Sequence, residues 1–245
     1  MNKFKFYIFL LVLFSNQMEY SLMFGQNLSV VYEKVTIPDY DDDDDLTVTQ
    51  VAQPVSRYSL TVYEGRSVFT LDSAINYVEY PPFTNTYMFK KSIYKEYSTG
   101  VWLEESSRYK PGHVLSEDLF ESWNKNKKLW KLTDSTKIIL GYKCIKSMNG
   151  EFNAWHTTEI SIMDGPFYGT FGLPGLVLEL NAHSDSWTAI QILPVEREVI
   201  LPQDKIKSTT KESISLPVFN AKNMPSKDVI KINSKTPLNK WIKFE

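Results

Sequence analysis

Short runs of alternating apolar and polar residues, punctuated by turn-forming residues, recur along most of the chain. A two-residue period predicts β-strands with one buried face. Leu28 to Val35 alternates and stops before Pro38, and Leu46 to Ala52 resumes the pattern. Ser56–Tyr63 and Ser67–Leu71 flank Glu64-Gly65-Arg66, a predicted hairpin with Gly65 where positive φ is needed. After Pro81-Pro82, Tyr87 to Tyr97 is a long aromatic-rich run. Leu129 to Leu132 leads into a predicted turn at Thr133-Asp134-Ser135. Lys137–Ser147 and Phe152–Ile162 flank Asn149-Gly150, a preferred two-residue hairpin turn. Leu176–Leu180 and Trp187–Leu193 form a further pair, and Val229–Ile232 and Trp241–Phe244 are candidate edge strands.

One segment departs from this period. Ser116 suits a helix N-cap, Glu117 and Asp118 suit the positive end of its dipole, and Leu119, Phe120 and Trp123 share one helical face. The pattern as a whole predicts a mainly β protein with a minor α component. It is read as a single antiparallel curved sheet, or a sandwich-like domain, with one short helix. The alternative is a half-barrel resembling periplasmic lipid carriers, an analogy of fold that says little about cargo.

The first residues follow another logic. Lys3 and Lys5 precede the apolar run Phe6–Phe14, which Ser15-Asn16-Gln17 interrupts too early for a membrane span. Residues 1–25 therefore read as a signal peptide, 26–200 as the β-rich domain and 201–245 as a lysine-rich, partly ordered extension. About 220 residues then remain, enough for one large β domain. The mature protein is expected to be exported, periplasmic or secreted. It is not expected to be membrane-integral, because no later stretch is long and apolar enough. Cys144, the one cysteine, lies far from the leader, which excludes both a lipid anchor and an internal disulfide. A formal net charge of −2 gives no global reason to expect nucleic acid.

Candidate chemistry is sparse. Asp39 to Asp45 holds six carboxylates in seven residues, which reads as a solvated loop. Asp41, Asp43 and Asp45 are weak calcium candidates, because Asp44 and Gln50 stand where an EF-hand needs Gly and Glu. His113, His156 and His183 lack metal-ligand spacing, so no metal or other cofactor is expected. Cys144 and His156 suggest a thiol nucleophile and its base. With Asn149-Gly150 as the turn, however, Cys144 opposes Trp155 and His156 lies on the other face, beside Lys143. A buried cysteine packed on Trp155 is then the expectation. Eight aromatic residues between Tyr77 and Trp102 fit core filling, or a platform for sugars or peptides.

Four anchors stand in a fixed order: Gly141-Tyr142-Lys143-Cys144, Ala154-Trp155, Gly165-Pro166 and Gly172-Leu173-Pro174-Gly175-Leu176. Together they resemble the GLPGLI family, secreted proteins of Bacteroidetes. Val177 replaces that family's usual Ile, and Gly150 is not followed by its usual Arg. The resemblance implies an exported envelope protein, often alongside outer-membrane transport components, and implies no reaction. Read from the residues, Pro174-Gly175 predicts a type II turn leading into a strand, with the leucines buried around it.

The sequence favours a non-enzymatic binding or accessory module for a peptide, a glycan or an outer-membrane partner. A hydrolase with its site near the Gly-rich segment 165–175, using Asp164, Glu159 or Cys144, is the second reading. A structural or assembly protein is the third.

Overall fold

The computed structural model describes residues 26–36, 55–75, 86–106, 114–118, 129–150, 152–166, 170, 173–182, 185–196, 198–202, 229–232 and 240–243. Fourteen strands follow one another: β1 Leu28–Thr36, β2 Val55–Tyr63, β3 Arg66–Ile75, β4 Thr86–Phe89, β5 Lys91–Glu96, β6 Val101–Ser106, β7 Val114–Asp118, β8 Lys131–Ile139, β9 Tyr142–Asn149, β10 Phe152–Thr157, β11 Leu176–Ala182, β12 Asp185–Pro194, β13 Val229–Ile232 and β14 Trp241–Lys243. Twelve of them form one antiparallel sheet, while β4 and β13 pair separately. No α-helix occurs among the described residues, so none there is long and apolar enough to cross a membrane.

Two meanders meet at the centre of the sheet. The order β7-β6-β5-β3-β2-β1-β12-β11-β10-β9-β8 runs outward from β1 in one direction and returns inward from β8 to β12 in the other. The first and the last long strands therefore form the seam, with Leu28 opposite Pro194 and Thr36 opposite Asp185. Its edges, β7 and β8, are consecutive in sequence and do not pair, so the sheet is open. Apart from the β4–β13 ribbon, which touches β2 where Ser56 meets Met88, the result is the expected single antiparallel sheet. β14 completes the edge of β3 beyond β5, pairing Trp241 with Ile75.

The sheet is rolled. β3 and β12 stand three strand spacings apart, about 14 Å in a flat sheet. Yet the rings of Phe69 and Trp187 lie 5.7 Å apart, and Tyr58 bridges them at 5.1 and 4.7 Å. Their shared side is the concave, buried face, which also holds Leu28, Val30, Tyr32, Leu60 and Val62.

Hairpin turns set the register. Glu64 and Gly65 both take positive φ (45° and 78°) between Tyr63 and Arg66, the two-residue geometry that matches strand twist. Leu140 and Gly141 do the same at 50° and 87°, so Lys137–Ser147 is not one strand but the hairpin β8–β9. The predicted turn at Thr133–Ser135 is instead an irregularity within β8, where the register shifts between Leu132 and Thr136. Asn149 pairs with Phe152, moving the next turn one residue past its expected start. The expected helix start at Ser116–Asp118 lies in strand β7, and residues 119–128 lie outside the described residues. Asp41, Asp43, Asp45 and residues 1–25 also lie outside them.

β10 ends at Thr157, earlier than expected, and Ile160, Ile162 and Leu173 then enter the core without strand pairing. Leu176 N–H donates to the Ile160 carbonyl, and Val177 N–H donates to the Asp164 carbonyl, so the returning chain lies against the outgoing one. Gly175 makes this possible. Its φ is +99°, and a Cβ there would sit 2.0 Å from the Thr157 carbonyl oxygen. Gly141 has φ +87° but open space around it.

These two glycines predict different costs. Gly141→Ala should lose about 1–2 kcal/mol, the left-handed penalty alone. Gly175→Ala should lose about 4 kcal/mol or more, because backbone must also move. Urea denaturation measures both, and equal losses would contradict the close approach at Thr157.

Candidate functional site

The segment between β10 and β11 places a carboxylate where water cannot reach it. Asp164 is fully buried, and each of its oxygens is taken. Ser67 on β3 donates to Oδ2 at 2.9 Å, and the Tyr97 hydroxyl donates to the same oxygen at 2.6 Å. Lys95 on β5 donates from Nζ to Oδ1, and Gly165 N–H donates to Oδ1 at 2.7 Å. A buried carboxylate needs such donors, because each unmade bond costs the full desolvation of that lone pair.

Strand parity explains why these donors arrive. Ser67 pairs with Lys95 across β3 and β5, on the face that also carries Phe69 and Ile93. Lys95 thus points into the core, and burial pushes its ammonium pKa down while Asp164 opposes the shift. Tyr97 follows directly after β5, and burial raises its phenol pKa, with the Asp164 charge adding to the effect. Tyr32, also raised by burial, donates to the Val177 carbonyl at 2.7 Å and fastens the same segment to β1.

A second polar group lies on the same face. Ser147 Oγ and His156 Nε2 are 3.0 Å apart, and His156 Nδ1 is 2.9 Å from the Pro174 carbonyl oxygen. A carbonyl only accepts, so Nδ1 carries the proton and Nε2 accepts from the Ser147 hydroxyl. Nucleophile, base and orienting group stand in line, as acyl-transfer chemistry would want them. Both side chains are nevertheless fully buried, and burial lowers the His156 pKa first of all, with the bond to Pro174 opposing it. The arrangement ties the Pro174-Gly175 turn to β9 and β10.

Cys144 and His156 do not meet. Pairing Phe152 with Asn149 shifts the expected register by two residues, which preserves parity. Cys144 therefore shares the convex face with Trp155, and His156 faces the core. Lys137 lies 4.4 Å above the Trp155 ring and binds Glu179 Oε2 at 2.6 Å, bridging the strands around the cysteine. Burial pushes the Cys144 thiol up to about 11, with the Ile139 backbone and Lys137 opposing. Glu159 is exposed and accepts from Lys143 N–H at 2.8 Å. Glu159 thus lies close enough to Cys144 for its charge to help raise the thiol pKa, whereas Asp164 is held on the other face by Ser67, Lys95 and Tyr97, so the three are not brought together.

The other motif positions fall into local roles. Gly141 sits in the β8–β9 turn and Tyr142 opens β9, its carbonyl 3.6 Å from Cys144 Sγ. Ala154, Leu173 and Leu176 are buried in the core. A Cβ on Gly165 would lie 2.6 Å from Val177 Cβ, so only glycine fits beneath β11, and Pro166 beside it is buried. Gly172, His113 and His183 lie outside the described residues. Among the described residues, no three His, Cys, Asp or Glu side chains gather as a metal would require. A polar cleft at the β2–β3 and β5–β6 turns is lined by Arg66, Glu96 and Glu198, and Arg66 bridges both glutamates at 2.9 and 3.7 Å.

Sequence reasoning missed Ser67, Lys95, Tyr97 and Ser147. The first three lie 97, 69 and 67 residues from Asp164, beyond the range of any local pattern. Ser147 and His156 are nine residues apart across the β9–β10 turn, so hairpin parity was the signal that could have found them.

No protein-family model and no curated protein matches the chain. Among solved structures, one reported as the structure of PNGF-II is similar with a TM-score of 0.47 and 13% identity. The match covers 76% of this chain and 30% of that one.

Two measurements check this geometry. Cys144 should stay unmodified by a thiol reagent at pH 8 in the folded protein and react on unfolding, and Trp155→Ala should open it to the folded-state reaction. For His156 the folded pKa lies below the ordinary 6.5, so the unfolded chain binds more protons as pH falls. Its contribution is complete above the ordinary value and is lost on acidification, with a slope of at most about 1.4 kcal/mol per pH unit. Stability curves from pH 8 to 5 should therefore fall less steeply for His156→Gln than for the parent. Parallel curves would remove the buried neutral imidazole.

Proposed function

We propose that this chain is an exported envelope module that binds an extended, acidic polypeptide segment by adding it as a strand along β8. The observation behind this reading is what the fold leaves outside. Ser147, His156, Asp164 and Cys144 are fully buried. The β8–β9 hairpin instead exposes Leu132 (59%), Ile138 (65%), Leu140 (43%) and Met148 (38%). β8 ends the sheet, and among the described residues no strand pairs with its outer side. Edge strands with free backbone groups are the usual docking place for extended peptides.

Register indicates which groups are free. Ile139 and Tyr142 flank a two-residue turn and exchange hydrogen bonds, and alternation then turns the Ile138 N–H away from β9. Lys131 and Lys143 stand exposed on the hairpin and Lys146 half-buried, which favours carboxylates in the partner. The irregularity between Leu132 and Thr136 limits the flat stretch to Thr136–Ile139 and guards against indiscriminate pairing. The leader-like N-terminus and the GLPGLI resemblance support an envelope setting, where the segment would belong to an outer-membrane or secreted protein.

Labelled peptides of β8's length, alternating Val with Asp, Thr or Lys, test this by fluorescence anisotropy. The Val-Asp peptide should bind best. Ile138→Pro, which removes one outward N–H without breaking a ladder bond, should weaken it by about tenfold or more. Its thermal midpoint should stay within a few degrees of the parent's. Equal binding of the Val-Lys peptide, or no effect of Ile138→Pro, would overturn the reading.

A further inference from the structure

The Lys95–Asp164 pair is unusual in its setting. The two side chains are 2% and 0% exposed, and Nζ contacts Oδ1 directly. Removing both ions from water costs several kcal/mol each, which their attraction offsets only in part. Moving one proton from the ammonium to the carboxylate leaves a neutral amine beside a neutral acid, with no change in net charge. That amine is a nucleophile in direct contact with the carboxyl group, and both are shut off from solvent.

The remaining contacts fit what an attack on that carbon requires. Ser67 and Tyr97 both donate to Oδ2, at 2.9 and 2.6 Å, so a negative charge developing there meets two fixed donors. Oδ1 faces the amine and also accepts the Gly165 N–H at 2.7 Å, so the leaving oxygen is held in place while it collects protons from the amine.

The geometry points to a covalent modification: Lys95 and Asp164 condense into an intramolecular isopeptide bond. Nζ adds to Cγ, and Oδ2 carries the charge of the tetrahedral intermediate against Ser67 and Tyr97. Oδ1, already protonated from Nζ, takes a second proton from the same nitrogen and leaves as water. One N–C bond forms, one C–O bond breaks, and no oxidant, reductant or second substrate is consumed. Amide formation is unfavourable between free groups in water. Fixed neighbours reach effective concentrations of about 10⁵–10⁸ M, and a dry core shifts the balance further.

The bond would join β5 to the segment that precedes β11, across 69 residues of chain. A link of that span restricts the unfolded chain much as a disulfide does. Cys144 is a free buried thiol without a cysteine partner, so this chemistry would give the protein a covalent staple that disulfides do not supply.

Intact mass spectrometry of the folded full chain, followed by proteolysis and fragment sequencing, tests it. The expected result is a mass one water below that of the linear sequence and a branched peptide joining Lys95 to Asp164. Lys95→Arg and Asp164→Ala should return to their linear masses. Asp164→Asn should lose ammonia in place of water. Tyr97→Phe should slow bond formation after refolding by about tenfold or more, the effect of removing one oxyanion donor. The linear mass in the parent protein would overturn the proposal without recourse to any variant. So would loss of water without a branched peptide, because Asp164-Gly165 can also dehydrate to a succinimide. Hydroxylamine cleaves that ring and leaves an isopeptide intact.

Discussion

A carboxylate placed out of reach of water constrains everything around it, and in this protein Asp164 is that group. Its oxygens draw Ser67 from β3, Lys95 from β5 and Tyr97 from the turn after β5, while Gly165 closes the local contact. Because these donors belong to the first meander and Asp164 to the second, the interaction spans the two halves of the sheet. A buried ion pair is weak evidence for net stability. Its effect is on position, since displacing the Ile160–Gly165 stretch would strand a charge in the core.

Close approaches reinforce that placement. Gly175 lets the returning chain pass against Thr157, and Gly165 admits Val177. Tyr32 and His156 bind the carbonyls of Val177 and Pro174 from β1 and β10. The segment that resembles a named sequence motif is thus where an irregular chain crosses the concave face. Irregular backbone can be buried only if its polar groups are answered one by one.

The two faces of the sheet divide the reactive residue types between them. The concave side holds Ser147 with His156 and Lys95 with Asp164, each satisfied internally. The convex side covers Cys144 with Trp155 and the Lys137–Glu179 bridge. On both faces these groups are answered by partners inside the fold. Of the nine large apolar side chains that stand exposed among the described residues, four lie on the edge hairpin, where β8 also leaves its outer backbone groups unpaired by any described strand.

The strands that flank clear turns, such as Leu28–Val35, Ser56–Tyr63 and Leu176–Leu180, were legible in the sequence, because a period of two is written in adjacent residues and does not depend on distant partners. The sequence by itself also determined the Glu64-Gly65 turn and the conformation at Gly175, where φ preference is local. Parity survived the misplaced β9–β10 turn, since a shift of two residues returns every side chain to its face. Local signals failed where two structures share them. Lys137–Ser147 alternates straight through the Leu140-Gly141 turn, and Ser116–Asp118 serves a strand as readily as a helix cap. The tertiary structure alone decided the rest. Lys95 reads as an ordinary surface lysine until rolling of the sheet and the meeting of β1 with β12 carry Asp164 to it. Such a contact depends on chain segments 69 residues apart, and no short-range pattern encodes it.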